Sequence, residues 1–126
     1  MKYMLLTYMD EKALAKLTPE ERQRALSHCW PHVEKLRQEK KFVAGAGLEP
    51  TSTATTIRYR DGKRLLIDGP FAETREHLDG YTIIDAKDLD EAIALASGFV
   101  GTSGLESIEV RPIVDMGVPV APEDKG

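Results

Sequence analysis

The chain has 126 residues, which is enough for one compact domain with a single core. A hydrophobic fraction of 41% and a charged fraction of 30% exclude wholesale disorder. The net charge of −4 argues against a nucleic-acid-binding protein, because phosphate recognition needs a basic face. One cysteine excludes an intrachain disulfide, and the sequence has neither the apolar core of a signal peptide nor a run of roughly 20 apolar residues. We therefore expect a cytoplasmic protein with no membrane association.

The first predicted element is a strand over residues 3–8, and this strand is apolar on both faces. Tyr3 and Leu5 alternate with Met4 and Leu6. A strand with one face in water would instead alternate apolar with polar residues. We therefore expect both faces of this strand to be covered.

A helix is predicted next from three agreeing signals. Thr18 is a suitable N-cap, Pro19 occupies the first helical position, and Glu21 follows the cap by three residues. The apolar stripe of this helix extends from Leu26 to Leu36. Pro31 lies inside the stripe and predicts a kink or a split, because proline removes one backbone hydrogen bond.

The remaining elements complete an α+β plan. Asp61-Gly62 between two strand-like runs predicts a hairpin, and Asp88 with Glu91 predicts the capped start of a second helix. The predicted strands and the second helix cover residues 42–47, 55–60, 64–67, 81–85, 88–100 and 107–113. This order predicts a ferredoxin-like antiparallel sheet with two helices on one face and an additional hairpin. We expect one domain over residues 1–116 and a flexible C-terminal tail over residues 117–126.

Two helices of this size cover only one face of such a sheet. The apolar second face of the first strand then needs another cover. An identical sheet from a second subunit is the economical solution, so we expect a homodimer with its sheets packed face to face.

The segment from Asp68 to Gly80 carries most of the functional information. Asp-Gly-Pro at its start predicts a chain reversal, and the ionisable residues that follow either face solvent or line a cleft. Two interpretations of Asp68 are open: a carboxylate that hydrogen-bonds the backbone and holds the turn, or a general base at a strand end. Glu73 and Thr74 are expected to start a short helical turn.

His28 and His32 lie four residues apart on the first helix, a spacing that two ligands of one metal can have. No third ligand is indicated, so we interpret them as helix histidines and expect neither a metal nor another cofactor. The apolar stripe predicts that His28 faces solvent. His32, at the border of the stripe, is either a surface histidine or a general acid or base paired with a carboxylate.

The stretch from Asp68-Gly-Pro-Phe-Ala-Glu-Thr-Arg-Glu76 to Asp79-Gly80-Tyr81 resembles the signature of DGPF-domain proteins in the YCII-related family. The same resemblance extends over residues 1 to about 114 and includes these segments: residues 1–6, 54–58, 88–92 and 109–113. It implies a ferredoxin-like fold of the dimeric α/β-barrel group. It also implies an enzyme cleft with a His and Asp pair, matched here by His32 and Asp68, and an association of many members with extracytoplasmic-function sigma factors.

Three functions are open at this point. The first is a homodimeric enzyme or ligand-binding protein with a small-molecule cleft between the Asp68 loop and the sheet. The second is a regulatory module that binds a protein partner such as a sigma factor, and the third is a fold without a site. For the first function we predict Asp68 and His32 as catalytic residues. The predicted ligand-binding residues are Phe71, Glu73, Thr74, Tyr81 and Arg111.

Overall fold

The computed structural model describes residues 1–101 and 104–120. The strands in this part of the chain are β1 (Lys2–Met9), β2 (Phe42–Gly47), β3 (Thr55–Arg60), β4 (Lys63–Asp68), β5 (His77–Asp85) and β6 (Glu106–Pro112). Its helices are α1 (Glu11–Ala15), α2 (Pro19–Ser27), α3 (Trp30–Gln38) and α4 (Leu89–Ser97), with a 3₁₀ turn at Thr51–Thr53. None of these helices has the length and apolar character needed to cross a membrane. Of the predicted tail over residues 117–126, residues 121–126 lie outside the described residues.

The main sheet has four strands in the order β2-β5-β1-β6, and each neighbouring pair is antiparallel. Helices α1 to α3 connect β1 to β2, and α4 connects β5 to β6. This α+β arrangement is consistent with the predicted ferredoxin-like plan. The hairpin of β3 and β4 forms a separate two-stranded sheet and pairs with no strand of the main sheet.

Local hydrogen bonds explain where the helices begin. The Thr18 hydroxyl accepts the Glu21 N–H at 3.2 Å, and the Glu21 carboxylate accepts the Thr18 N–H at 3.0 Å, which confirms this predicted capping box. The Asp88 carboxylate accepts the Glu91 N–H at 2.9 Å, but the Glu91 carboxylate turns to the Lys87 N–H. Only half of the second predicted capping box is therefore present.

The structure confirms the split predicted at Pro31 and adds a helix that was not predicted. Pro31 lies in the first turn of α3, and the predicted single helix is split between Ser27 and Trp30. A proline is tolerated in a first turn because the N–H groups there have no intrahelical acceptor. A short extra helix, α1, follows β1 because the Asp10 carboxylate accepts the Ala13 N–H at 3.0 Å.

The helices cover one face of the main sheet. Tyr3 and Leu5 of β1 and Ile84 of β5 are buried on this face. The remaining buried members of the core are Val33, Leu36, Ala86, Ala92, Ala96 and Phe99. On the other face, Met4 and Leu6 are half-buried, and the cross-strand partner of Met4, Ile83, is buried. The second face of β1 is thus apolar, as predicted.

The hairpin turn follows its sequence signal. Asp61 and Gly62 have φ angles of 51° and 75°, the positive values that a two-residue hairpin turn of type I′ requires. At the far end of the hairpin, the Gly69 N–H donates to the Ala54 carbonyl at 2.8 Å, and the Thr56 hydroxyl donates to the Gly69 carbonyl at 2.9 Å. These two bonds hold the chain reversal that follows β4.

Two expectations about the loop after β4 are wrong. Within the described residues the exposed Asp68 carboxylate accepts no hydrogen bond, so it does not hold the turn. Glu73 and Thr74 do not start a helical turn, because the chain between β4 and β5 has no helix. The Thr74 hydroxyl instead donates to the carbonyl of Glu76.

Candidate functional site

A cavity of about 510 Å³ lies between the Asp68 loop and the sheet face that points away from the helices. We call it the loop cavity. Its sheet wall is formed by Tyr8 and Leu78, which are direct cross-strand partners in β1 and β5. Its loop wall is formed by Pro70, Phe71, Ala72, Thr74 and Glu76.

The third wall of the loop cavity is the segment that follows β2. The Glu11 carboxylate accepts the Thr51 N–H at 3.0 Å and the Thr51 hydroxyl at 2.6 Å, which ties this segment to α1. The loop itself is tied at its end, where the Ser107 hydroxyl donates to the Glu76 carboxylate at 2.9 Å. The cavity is therefore bounded by three segments whose positions are fixed by hydrogen bonds.

The structure brings part of the predicted site together. Phe71 and Thr74 both line the loop cavity. Asp68 and Glu73 are exposed in the same stretch of chain, but neither is among the lining residues. Phe71 is 73% exposed, and the guanidinium of Arg58 lies over its ring, 4.6 Å from the centroid.

Tyr81 and Arg111 lie on strands away from this cavity. Arg111 is exposed on β6 and donates to the Glu109 carboxylate at 3.2 Å. Tyr81 lies on β5 and lines a different cavity, described below. The ligand-binding roles of both residues stay predictions.

His32 is held between α3 and α4. Its Nε2 lies 2.7 Å from the Leu95 carbonyl oxygen, and its ring meets the Phe99 ring edge to face at 4.8 Å. A Cβ added at Gly98 would overlap the His32 ring, so the imidazole fills the space that a glycine leaves open. Within the described residues no contact joins His32 to Asp68, and the catalytic roles of both stay predictions.

A second cavity, of about 420 Å³, lies between the main sheet and the helices α2 and α3. We call it the helix-side cavity. Its floor contains Gly45, Gly47 and Gly80, which leave room because they carry no side chains. A Cβ added at Gly80 would lie 2.9 Å from the Ala46 carbonyl oxygen, so the strands are too close there for any side chain. The residues of its roof are Leu26, Cys29, Trp30, Val33 and Arg37.

Two carboxylates line the helix-side cavity. Asp79 is the extra residue of a β-bulge, because Thr7 pairs with Gly80 while the next residue, Tyr8, pairs with Leu78. Glu106 begins β6, and its side chain is only 8% exposed. Both residues are thus placed in the cavity by strand geometry and not by a mobile loop.

His28 borders the same cavity, and the prediction that it faces solvent is wrong. Its Nδ1 lies 2.7 Å from the Ala25 carbonyl oxygen, and its Nε2 lies 3.0 Å from the Phe99 carbonyl oxygen. The same Nε2 is 3.8 Å from a Glu106 carboxylate oxygen. In the described part of the chain, no three His, Cys, Asp or Glu side chains are grouped so that they could hold a metal ion.

Burial changes the acid–base properties of the cavity. Desolvation raises the pKa of Asp79 and the pKa of Glu106, and the nearby His28 only partly opposes the effect on Glu106. Desolvation also raises the pKa of the Cys29 thiol, with Glu106 and Asp79 adding to the rise. The thiol is therefore protonated at neutral pH and is not an activated nucleophile.

We expect Asp79 and Glu106 to stabilise the folded state at acidic pH, because the folded state binds protons at these carboxylates more tightly than the unfolded chain does. Their raised pKa values mean that this contribution is lost as the pH rises through the folded-state values. Asp10 and Glu21 have the opposite effect on stability, because backbone hydrogen bonds lower their pKa values in the folded state. Their stabilising contribution is present at neutral pH and is lost as the pH falls through these lowered values.

The Asp79 share of this effect is measurable by urea unfolding of Asp79→Asn at several pH values. The variant should be more stable than the parent at pH 8, and the advantage should shrink as the pH falls. Asp68→Asn is the charge-matched control, because the Asp68 side chain is exposed. A constant difference between Asp79→Asn and the parent at all pH values would contradict the prediction.

Sequence reasoning missed this second group of residues. Asp79 belongs to the signature segment but precedes the predicted strand over residues 81–85, and Glu106 precedes the predicted strand over residues 107–113. Each strand actually begins earlier and carries its carboxylate inside the sheet. The sequence signal that could have identified both residues is a carboxylate directly beside an apolar strand. Asp79 is in addition followed by a glycine.

The fold is of the α+β class, and comparison with known proteins identifies the family of the chain. The model of the YCII-related domain matches residues 1–116, so the chain belongs to the YCII-related family. An uncharacterized protein of Rhizobium meliloti (strain 1021) is 36% identical over 114 residues, covering 90% of this chain and 92% of that relative. The resemblance found in the sequence is thereby confirmed.

Proposed function

We propose that this YCII-related protein is a homodimer that binds a small organic molecule in the loop cavity. The observation that carries the proposal is the cavity of about 510 Å³ between the signature loop and the sheet. Its volume falls in the range of roughly 300–1,000 Å³ that is typical of small-molecule sites. Tyr8, Leu78 and Phe71 supply apolar walls, and Thr74 and Glu76 supply polar groups.

The signature loop carries two further carboxylates, close in sequence to the residues that line this cavity. Asp68 ends β4 with an exposed carboxylate that accepts no hydrogen bond from the described residues. A carboxylate in this position is free to anchor a ligand or to act as a base on it. Glu73 is exposed a few residues further on and is the second candidate for a polar contact.

The hairpin supports the dimeric part of the proposal. Ile57 and Leu66 are cross-strand partners and are 60% and 59% exposed. Leu65 and Ile67, on the opposite face of the hairpin, are also exposed. A two-stranded hairpin alone is marginally stable in water, and contiguous exposed apolar side chains mark contact surfaces.

Fragment screening by NMR on the ¹⁵N-labelled protein tests the binding site. We expect bound fragments to shift the amide signals of residues 71–78 and of Tyr8. Phe71→Ala should weaken binding about fivefold or more, because it removes one wall of the cavity. Asp68→Asn tests the anchor separately, because unchanged affinity in this variant would contradict only the anchoring role of Asp68. If no fragment shifts the amide signals of the loop, the binding site itself is contradicted.

A regulatory module that binds a sigma factor is the alternative, and the exposed hairpin is the surface that such a partner would cover. Affinity capture from the native cytoplasm distinguishes the two. Recovery of the homodimer alone favours small-molecule binding, and recovery of one stoichiometric protein in place of the second copy favours the regulatory module.

A further inference from the structure

We propose that residues 113–120 of one copy of this chain pack against the exposed apolar face of the β3–β4 hairpin of a second copy. We call these residues the terminal segment. The contact rests on the proposed homodimer and supplies a part of its interface that lies outside both cavities.

The terminal segment exposes a group of apolar side chains. Val114, Met116 and Val118 are 76%, 79% and 69% exposed. The Ile113 N–H still bonds to β1, but among the described residues nothing in 114–120 forms a hydrogen bond with another element. Single exposed apolar side chains are ordinary, whereas a contiguous group of them marks a contact surface. The described part of the chain thus leaves these side chains without a cover.

The hairpin offers an apolar face of matching character. Ile57 and Leu66 are cross-strand partners, and Tyr59 lies on the same face because it follows Ile57 by two residues. All three side chains are more than half exposed. The hairpin forms a sheet of two strands only, so no third strand extends this face. A tyrosine ring beside two branched aliphatic side chains provides a large apolar contact area.

The topology of the sheet favours the hairpin of a second copy over the hairpin of the same copy. Tyr3 pairs with Pro112, so the chain leaves β6 where β1 begins. The hairpin precedes His77, which pairs with Met9 at the other end of β1. The nine residues of β5 separate these two ends by roughly 25 Å. Eight fully extended residues span at most about 28 Å, and the terminal segment is shorter because it bends at Gly117, where φ is 74°.

A two-fold dimer brings the two surfaces together. When the strands of the two copies run in opposite directions, the end of β6 in one copy lies beside the hairpin end of the other, and the contact occurs twice.

The distribution of charge favours the same contact. Residues 58–64 of the hairpin contain four basic side chains and one carboxylate, whereas the whole chain has a net charge of −4. The rest of a second copy is therefore acidic. Arg64 lies on the same hairpin face as Leu66, and Asp115 of the terminal segment carries the opposite charge. Complementary charges of this kind steer association and fix the register of an interface.

Paramagnetic broadening between copies tests where the terminal segment packs. A nitroxide would be attached to Pro119→Cys in a Cys29→Ala background, and this full-length chain would be mixed with ¹⁵N-labelled parent chain. We expect the amide signals of Ile57, Tyr59 and Leu66 in the parent chain to broaden strongly, because the nitroxide acts only at short range. Reduction of the nitroxide with ascorbate should restore these signals.

A substitution in the terminal segment measures its contribution to dimer formation. Met116→Ser should raise the dissociation constant of the dimer by about tenfold or more, because an apolar side chain of each copy is lost from the interface. Leu89→Ser is the matched control, since Leu89 is an exposed apolar residue on α4, and its dissociation constant should be unchanged. Sedimentation velocity gives both values. This measurement needs no cysteine substitution, so it decides alone if the nitroxide-labelled chain fails to fold.

The outcomes distinguish failure of this contact from failure of the homodimer. Broadening of the hairpin signals between copies and a weaker dimer in Met116→Ser support the proposal. A dimeric parent with sharp hairpin signals, or an unchanged dissociation constant in Met116→Ser, overturns the contact and leaves the homodimer intact. Broadening that occurs only when nitroxide and ¹⁵N are on the same chain places the segment on its own hairpin and also overturns the contact. A monomeric parent overturns the contact and the homodimer together.

Discussion

Replacement of Leu66 by glutamate is expected to convert the proposed dimer to a monomer. Leu66 and its cross-strand partner Ile57 form the exposed apolar centre of one hairpin face. A two-fold interface uses the same patch on both subunits, so each substitution places two carboxylates in the contact. Burial of unpaired charges costs several kcal/mol, and we expect the dissociation constant to rise by about a hundredfold or more.

Sedimentation velocity over a micromolar concentration range measures this change. Ile93→Glu is the matched control, because Ile93 is an exposed apolar residue on α4 and not on the hairpin. We expect the control to remain dimeric and Leu66→Glu to sediment as a monomer at all concentrations. A well-folded parent protein that is monomeric at micromolar concentration would contradict the dimer itself.

The elements of the fold were predictable where a local signal was sufficient. The Thr18 capping box and the Asp61-Gly62 turn each depend on residues within a few positions of one another. The split at Pro31 follows from the chemistry of one residue. The separate hairpin sheet was not predictable in this way, because sheet membership depends on contacts far along the chain.

The candidate sites were predictable only in part for the same reason. The loop after β4 was recognised from contiguous residues, and two of its predicted ligand-binding residues, Phe71 and Thr74, line one cavity. The helix-side cavity unites His28, Asp79 and Glu106, which belong to three distant segments. The Asp79 bulge depends on a one-residue register shift between β1 and β5, which periodicity in a single sequence does not reveal.

His32 shows how a correct local observation can leave two roles open. The sequence placed it at the border of the apolar stripe on the first helix. The structure gives it one carbonyl partner, Leu95, and one aromatic neighbour, Phe99, both on the α4 side. These contacts explain a packing role between α3 and α4. A histidine that carries out proton transfer on a ligand in the loop cavity would need access to that cavity, and His32 does not line it.

Truncation of Leu36 to alanine is expected to have the largest effect on folding stability. Leu36 is fully buried, and it joins α3 to a core that includes Leu5 and Ile84 on the main sheet. Loss of a buried leucine side chain removes its transfer free energy and leaves a cavity, at a cost of about 2–5 kcal/mol. The total free energy of unfolding of a domain of this size is roughly 5–15 kcal/mol, so this substitution would remove a large fraction of it.

Leu26→Ala is the matched control, because it deletes the same atoms from a leucine on α2 that is about half exposed. Its cost should stay below about 1 kcal/mol. Urea unfolding of both variants and the parent at one protein concentration gives the comparison, since a dimer unfolds with concentration-dependent midpoints. Because α3 contributes to the roof of the helix-side cavity, Leu36→Ala should also change the environment of Trp30. Equal losses in the free energy of unfolding for the two variants would contradict the central position of Leu36 in the core.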